Sequence, residues 1–132
     1  MIQTLEQRRA AHALNCVNYR KEAGQKTYGK YVSYVSALPA TILMNGLGQA
    51  CATLLSQKET KGHKELYDDL QSWLCGDDVA APYHNSDNTG TQQLMDNITT
   101  SDETKYFRAR AEALAYLVWL KKLAKAFLEQ GE

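Results

Sequence analysis

"ALPATILMNGLGQACATLLS", residues 37–56, is the most apolar segment of the chain, and the fold turns on how it is read. Ala40, Leu43, Met44, Leu47, Cys51, Leu54 and Leu55 recur at steps of three and four residues. That is the period of one helical face, so the stretch predicts a central core helix over 40–55. Gly46 and Gly48 fall inside it. A glycine in a helix interior costs about 0.5–1 kcal/mol relative to alanine, so both are expected where a side chain would block a close backbone approach. With Ala50 and Ala52 they make a small-residue flank on which another helix of this chain, or a neighbouring chain, would pack. The glycines of "NGLGQA" lack the lysine and the preceding strand of a phosphate loop.

Helical patterns continue on both sides. Thr4 and Gln7 have capping-box spacing ahead of an arc formed by Leu5, Ala10, Ala13, Leu14, Cys16 and Val17, which predicts an amphipathic helix ending near Gly24. Tyr28, Val32, Val35 and Leu38 predict a second helix with a boundary at Leu38, before Pro39. Residues 58–62 read as a polar connector. "HKELYDDLQSWL" places Leu66, Leu70, Trp73 and Leu74 on one face, with Gly76 as a C-cap. Residues 76–98 have the Asp, Asn, Ser, Gly and Pro content of a mobile polar loop, interrupted by a short helical turn at "TQQLMDNI". Thr100 and Glu103 suggest a second capping box, opening a long last helix lined by Phe107, Leu114, Leu117, Leu120, Ala124, Phe127 and Leu128. The expected fold is all-α: one domain over residues 1–132, a compact bundle of about five or six helices with a long C-terminal one.

Chemistry-bearing patterns are sparse. The chain has 15 Lys+Arg against 15 Asp+Glu, so no net field attracts a polyanion and only a local patch would do so. Cys16, Cys51 and Cys75 are an odd, widely spaced set that reads as buried reduced thiols. His12, His63 and His84 are scattered, and no histidine or cysteine pair has metal-ligand spacing. The "DD" pairs at 68–69 and 77–78 read as solvated carboxylates. No catalytic residue, metal or cofactor is therefore expected. The sequence turns charged by its sixth residue and has no run of about 18 apolar residues, so neither a signal peptide nor a membrane span is expected, and the cytoplasm is the expected compartment.

Four segments appear in an order that resembles a known family: "LEQRRAAHAL" at 5–14, "YVSALPATILMNGLGQACATLLS" at 34–56, "LYDDLQSWL" at 66–74 and "YFRARAEALAYLVWLKKLAKAF" at 106–127. The chain is identified as similar to the small fifth subunit of the Cmr complex, the type III-B CRISPR effector. "LPATILMNGLGQ" is its most specific piece, since proline, asparagine and glycines at that spacing have no generic helical reason to co-occur. The resemblance implies a non-enzymatic structural subunit of an antiviral ribonucleoprotein. Copies would stack in a minor filament, contact other Cmr subunits, and support pairing of CRISPR RNA with target RNA. Cleavage would belong to neighbouring subunits.

Candidate contacts follow from helix geometry. Arg8, His12, Asn15 and Tyr19 form a polar stripe on the first helix, with Arg9 at its edge, that could meet phosphates. On the last helix, Arg108 and Lys122 lie with Trp119 on one side of the apolar arc, and Lys121 and Lys125 border the other. The expected nucleic-acid contacts are thus Arg8, Arg9, His12, Arg108, Lys121, Lys122 and Lys125, against the plainer reading that they keep a helical surface soluble. Gly46, Gly48, Tyr19 and Trp119 are expected at subunit or close helix contacts, although a tryptophan at the Trp119 position is more often core than contact. Exchanging Arg8 and Arg9 together is expected to weaken RNA retention and leave the fold intact. A helical protein-protein adaptor without nucleic-acid contact is the other function class that fits these helices and this charge.

Overall fold

The computed structural model describes residues 2–130, and every regular element among them is helical. The elements are α1 (Leu5–Ala23), α2 (Gln25–Tyr28), α3 (Tyr31–Asn45), α4 (Leu47–Ser56), α5 (His63–Leu74), α6 (Gln93–Thr100) and α7 (Glu103–Phe127). Six are helices of eight residues or more, and α2 is a single turn. The capping box at α1 forms as its sequence predicts: the Gln7 N–H donates to Thr4 Oγ1 at 3.1 Å, and the Thr4 N–H donates to Gln7 Oε1 at 2.8 Å. Gly24 ends this helix. α7, 25 residues long, packs along α1 and α3, while α4 and α5 join α3, and α6 lies over both.

The expected boundary at Leu38 is absent. α3 runs through Pro39, which removes one internal hydrogen bond, because Val32, Val35, Leu38 and Ile42 are all buried and hold the helix on both sides. The break comes instead at Gly46, inside the predicted core helix. Gly46 has φ 88° and ψ 161°, a conformation that is essentially glycine-only. Its N–H donates to the Ile42 carbonyl at 2.8 Å, closing α3, and its carbonyl accepts from the Ala50 N–H at 3.1 Å, opening α4. The change of direction alters which residues face inward. Ile42 and Leu47 are buried, whereas Leu43 and Met44, expected in the core, are 60% and 82% exposed.

α7 differs from expectation in two places. Its N-cap is Asp102, whose Oδ1 accepts from the Lys105 N–H at 2.8 Å, because Thr100 still belongs to α6. Its buried face is built from Ala109, Ala113, Tyr116, Leu117, Leu120 and Ala124, which leaves Phe107 and Phe127 outside. Cys75 rather than Gly76 occupies the C-cap of α5. The segment expected as a loop divides into a connector through residue 92 and the helix α6. The Tyr83 N–H donates to the Leu74 carbonyl at 3.0 Å, and Asn88 Nδ2 donates to Asn97 Oδ1 at 2.8 Å. No helix among the described residues is long and apolar enough to cross a membrane.

Candidate nucleic-acid interface

Of the polar stripe of α1, the part at Arg8 and His12 lies in a seam with α5 and α7, whereas Asn15 and Tyr19 are exposed. One turn separates Arg8 from His12 and another separates His12 from Cys16, so all three project along the same line. Arg8 Nε donates to Asp78 Oδ2 at 2.8 Å, and Arg8 Nη1 to the Gln3 carbonyl at 2.8 Å. Arg9 makes a bidentate pair with Glu112, Nε to Oε2 at 2.7 Å and Nη2 to Oε1 at 2.8 Å, and a third bond to Glu6. Glu112 Oε2 also accepts from Trp73 Nε1 at 2.9 Å. Such charge-assisted forks consume the donors a phosphate would use.

His12 is held from both ring nitrogens, with Nδ1 2.7 Å from the Tyr116 hydroxyl and Nε2 3.2 Å from Ser72 Oγ. Ser72 Oγ donates its proton to the Asp69 carbonyl at 2.7 Å, so His12 Nε2–H donates to Ser72 and Nδ1 accepts from Tyr116. Burial lowers the His12 pKa, favouring this neutral ring. With its proton directed to a carbonyl, Ser72 is not poised as a nucleophile toward His12. Deeper in the same seam, Arg20 donates to Asp69 through Nε at 3.1 Å and Nη2 at 2.7 Å, and the Tyr31 hydroxyl donates to Asp69 Oδ2 at 2.7 Å.

The thiols are quiescent. Burial pushes Cys16 and Cys75 up to about 11 and Cys51 up to about 12, so each is a neutral thiol near pH 7. Among the described residues, no three His, Cys, Asp or Glu side chains converge on a metal position.

The remaining predicted residues fall elsewhere. Arg108, Lys122 and Lys125 are exposed on α7, Lys121 is half-buried, and none of the four forms an ion pair among the described residues. Trp119 is half-buried against the core, with Nε1 donating to Glu6 Oε2 at 3.3 Å. Tyr19 is exposed, and the Arg20 guanidinium lies 5.2 Å from its ring centre. Gly46 and Gly48 both face Tyr106 of α7: a Cβ on Gly46 would lie 3.2 Å from its hydroxyl, and one on Gly48 would lie 3.5 Å from the same atom and 3.3 Å from Ile98 Cγ2. The Tyr106 hydroxyl accepts from the Gly48 N–H at 2.9 Å, satisfying a donor that the first turn of α4 leaves free. The close approach at these glycines is therefore made within the chain.

The seam unites Arg8, Arg9 and His12 but neutralises them internally, while the unpaired cations of α7 lie outside it. The described residues thus define a small all-helical protein whose buried polar side chains, apart from His63 Nδ1, are hydrogen-bonded, and whose surface carries several large apolar side chains. Residues 5–127 match the family model described as "CRISPR-associated protein (Cas_Cmr5)". The fold is similar to the X-ray crystal structure of a CRISPR-associated Cmr5 family protein from Thermus thermophilus, with a TM-score of 0.74 and 27% identity over 96% of this chain and 100% of that one. The chain belongs to the Cmr5 family of CRISPR-associated proteins.

Proposed function

We propose that this chain is a non-catalytic structural subunit of a type III-B CRISPR ribonucleoprotein effector. It stacks with copies of itself in a minor filament, binds other Cmr subunits, and supports pairing of CRISPR RNA with target RNA. The family match over residues 5–127 carries this reading. Two features agree with it. The polar groups most suited to chemistry, His12, Ser72 and the thiols, are engaged with one another or held neutral. Large apolar side chains remain exposed on three helices: Tyr19 on α1, Leu43 and Met44 on α3, and Phe107, Val118 and Phe127 on α7. A filament subunit needs two such surfaces, since head-to-tail stacking uses different faces on each copy. Specificity in such an assembly resides in base pairing, leaving the protein to read shape and backbone charge.

The test is a pull-down of the tagged chain from its native cells, with co-purifying proteins and RNA identified before and after nuclease treatment. The expected result is recovery of CRISPR RNA together with the other Cmr subunits. Recovery of unrelated proteins without RNA would replace this function with that of a helical adaptor.

A further inference from the structure

The α1 seam offers few free donors to a phosphate, since Arg8 is paired with Asp78 and Arg9 with Glu112. The groove beside Arg8 and His12 is lined by Asp77 and Asp78 as well, which disfavours a polyanion. A second open cleft, of about 550 Å³, has the opposite character. It is formed where α2, the first turn of α3 and the connector before α5 meet. Lys26, Lys30 and Lys61 line it with Gln25, Tyr34 and Thr60, and no carboxylate does. None of the three lysines forms an ion pair among the described residues.

The backbone brings the segments that carry these lysines together. Gly29 (φ +54°) packs so tightly on the connector that a Cβ there would lie 2.7 Å from the Lys61 carbonyl oxygen. Gly62 (φ +106°) reciprocates, its Cβ position lying 2.7 Å from the Tyr28 carbonyl oxygen and 2.9 Å from the Tyr34 ring. Tyr34 is fixed in turn by stacking on His63, with ring centres 3.8 Å apart. The first turn of α3 adds to the positive field, since it contains no acidic residue and no side chain caps it. Three lysines that line one cleft with no carboxylate in its lining repel one another, and an anion at the cleft relieves that repulsion.

We infer that the Lys26–Lys30–Lys61 cleft binds the phosphodiester backbone of RNA, a conclusion that rests on the proposed function for the identity of the polyanion. The cleft is open and its lysines are exposed, which suits a strand crossing it rather than a single enclosed anion. Tyr34 offers an aromatic surface beside the amines, a combination that favours nucleic acid over a purely acidic protein face.

The test uses the triple variant Lys26→Gln, Lys30→Gln, Lys61→Gln, with the corresponding Lys→Arg triple as the charge-retaining control. Each is assembled with the other effector subunits and guide RNA, and binding of a fluorescein-labelled target RNA is followed by anisotropy across a salt series. The glutamine variant is expected to enter the effector normally, bind target at least about tenfold more weakly at ~0.1 M salt, and show a log K against log[salt] slope shallower by about 2. The arginine variant is expected to bind as the unmodified chain does. The three single Lys→Gln variants, each lowering the slope by about 0.7, carry the same test without the triple change. Normal assembly with unchanged affinity and slope overturns the inference and leaves the proposed function standing. If the unmodified chain does not enter the effector, that function fails. Labelled single-stranded RNA and the free full chain then decide the cleft: weaker binding by the glutamine variant supports it, and equal binding overturns it. Loss of incorporation by the glutamine variant in nuclease-treated samples also overturns the inference, assigning the cleft to an acidic protein partner.

Discussion

Replacing each of the two central glycines with alanine separates two physical roles that look alike in the sequence. Gly46 sits at φ 88° and ψ 161°, where an L side chain is strained by about 1–3 kcal/mol, and its new Cβ would press on the Tyr106 hydroxyl at 3.2 Å. Gly48 has no positive φ and occupies the first turn of α4, where alanine recovers up to about 1 kcal/mol of helix propensity. That gain is opposed by crowding of Ile98 Cγ2 at 3.3 Å, a methyl at the edge of a side chain that can shift by tenths of an ångström. Gly46→Ala is therefore expected to destabilise by about 1–3 kcal/mol and Gly48→Ala to lie within about 1 kcal/mol of neutral. For a chain of 132 residues these correspond to a Tm lowered by about 3–15 °C for the first and changed by less than about 5 °C for the second. Thermal unfolding followed by circular dichroism reads both. A rise in Tm for Gly46→Ala would refute the reasoning, because alanine stabilises at that position only if α3 and α4 form one continuous helix.

Two other perturbations probe the buried polar seam. Asp69 is 5% exposed and is the counter-ion of the buried Arg20, so Asp69→Ala should cost about 3–5 kcal/mol in urea unfolding, with partial recovery when Arg20→Met is added; a loss under about 1 kcal/mol would contradict the pairing. His12 has a folded-state pKa lowered by burial, so the unfolded chain binds the proton more readily. The stability this confers is complete above about pH 6.5 and is lost as the pH falls toward the folded pKa. Tm should accordingly fall between about pH 7 and pH 5, and less steeply in His12→Gln; identical slopes would remove His12 from that dependence.

Features set by neighbouring residues were legible in the sequence. The Thr4–Gln7 box, the α1 stop at Gly24 and the inward face Leu66, Leu70, Trp73 and Leu74 depend on spacing within one or two turns. Pro39 misled because its local penalty is outweighed by buried residues on both sides. Gly46 misled because period alone does not register a change of direction, and the same period placed Leu43, Met44, Phe107 and Phe127 inside although they face outward. The fate of Arg8 and Arg9 was out of reach for another reason: their carboxylate partners lie 70 and 103 positions away. With Arg9 forked onto a buried Glu112, exchanging both arginines is now predicted to destabilise the fold, in place of the expectation of an intact one. The lysine cleft was not legible because its charges come from α2, the start of α3 and the connector before α5, which meet only in the folded chain.

The central claim is that this chain supports RNA pairing without supplying chemistry. Its most direct test compares target-RNA binding and cleavage by a Cmr effector reconstituted with and without the chain. The account predicts weaker target binding when the chain is omitted, with cleavage at saturating target within about twofold of the complete effector. Loss of cleavage at saturating target, with binding unchanged, would contradict it by placing catalytic groups in this chain.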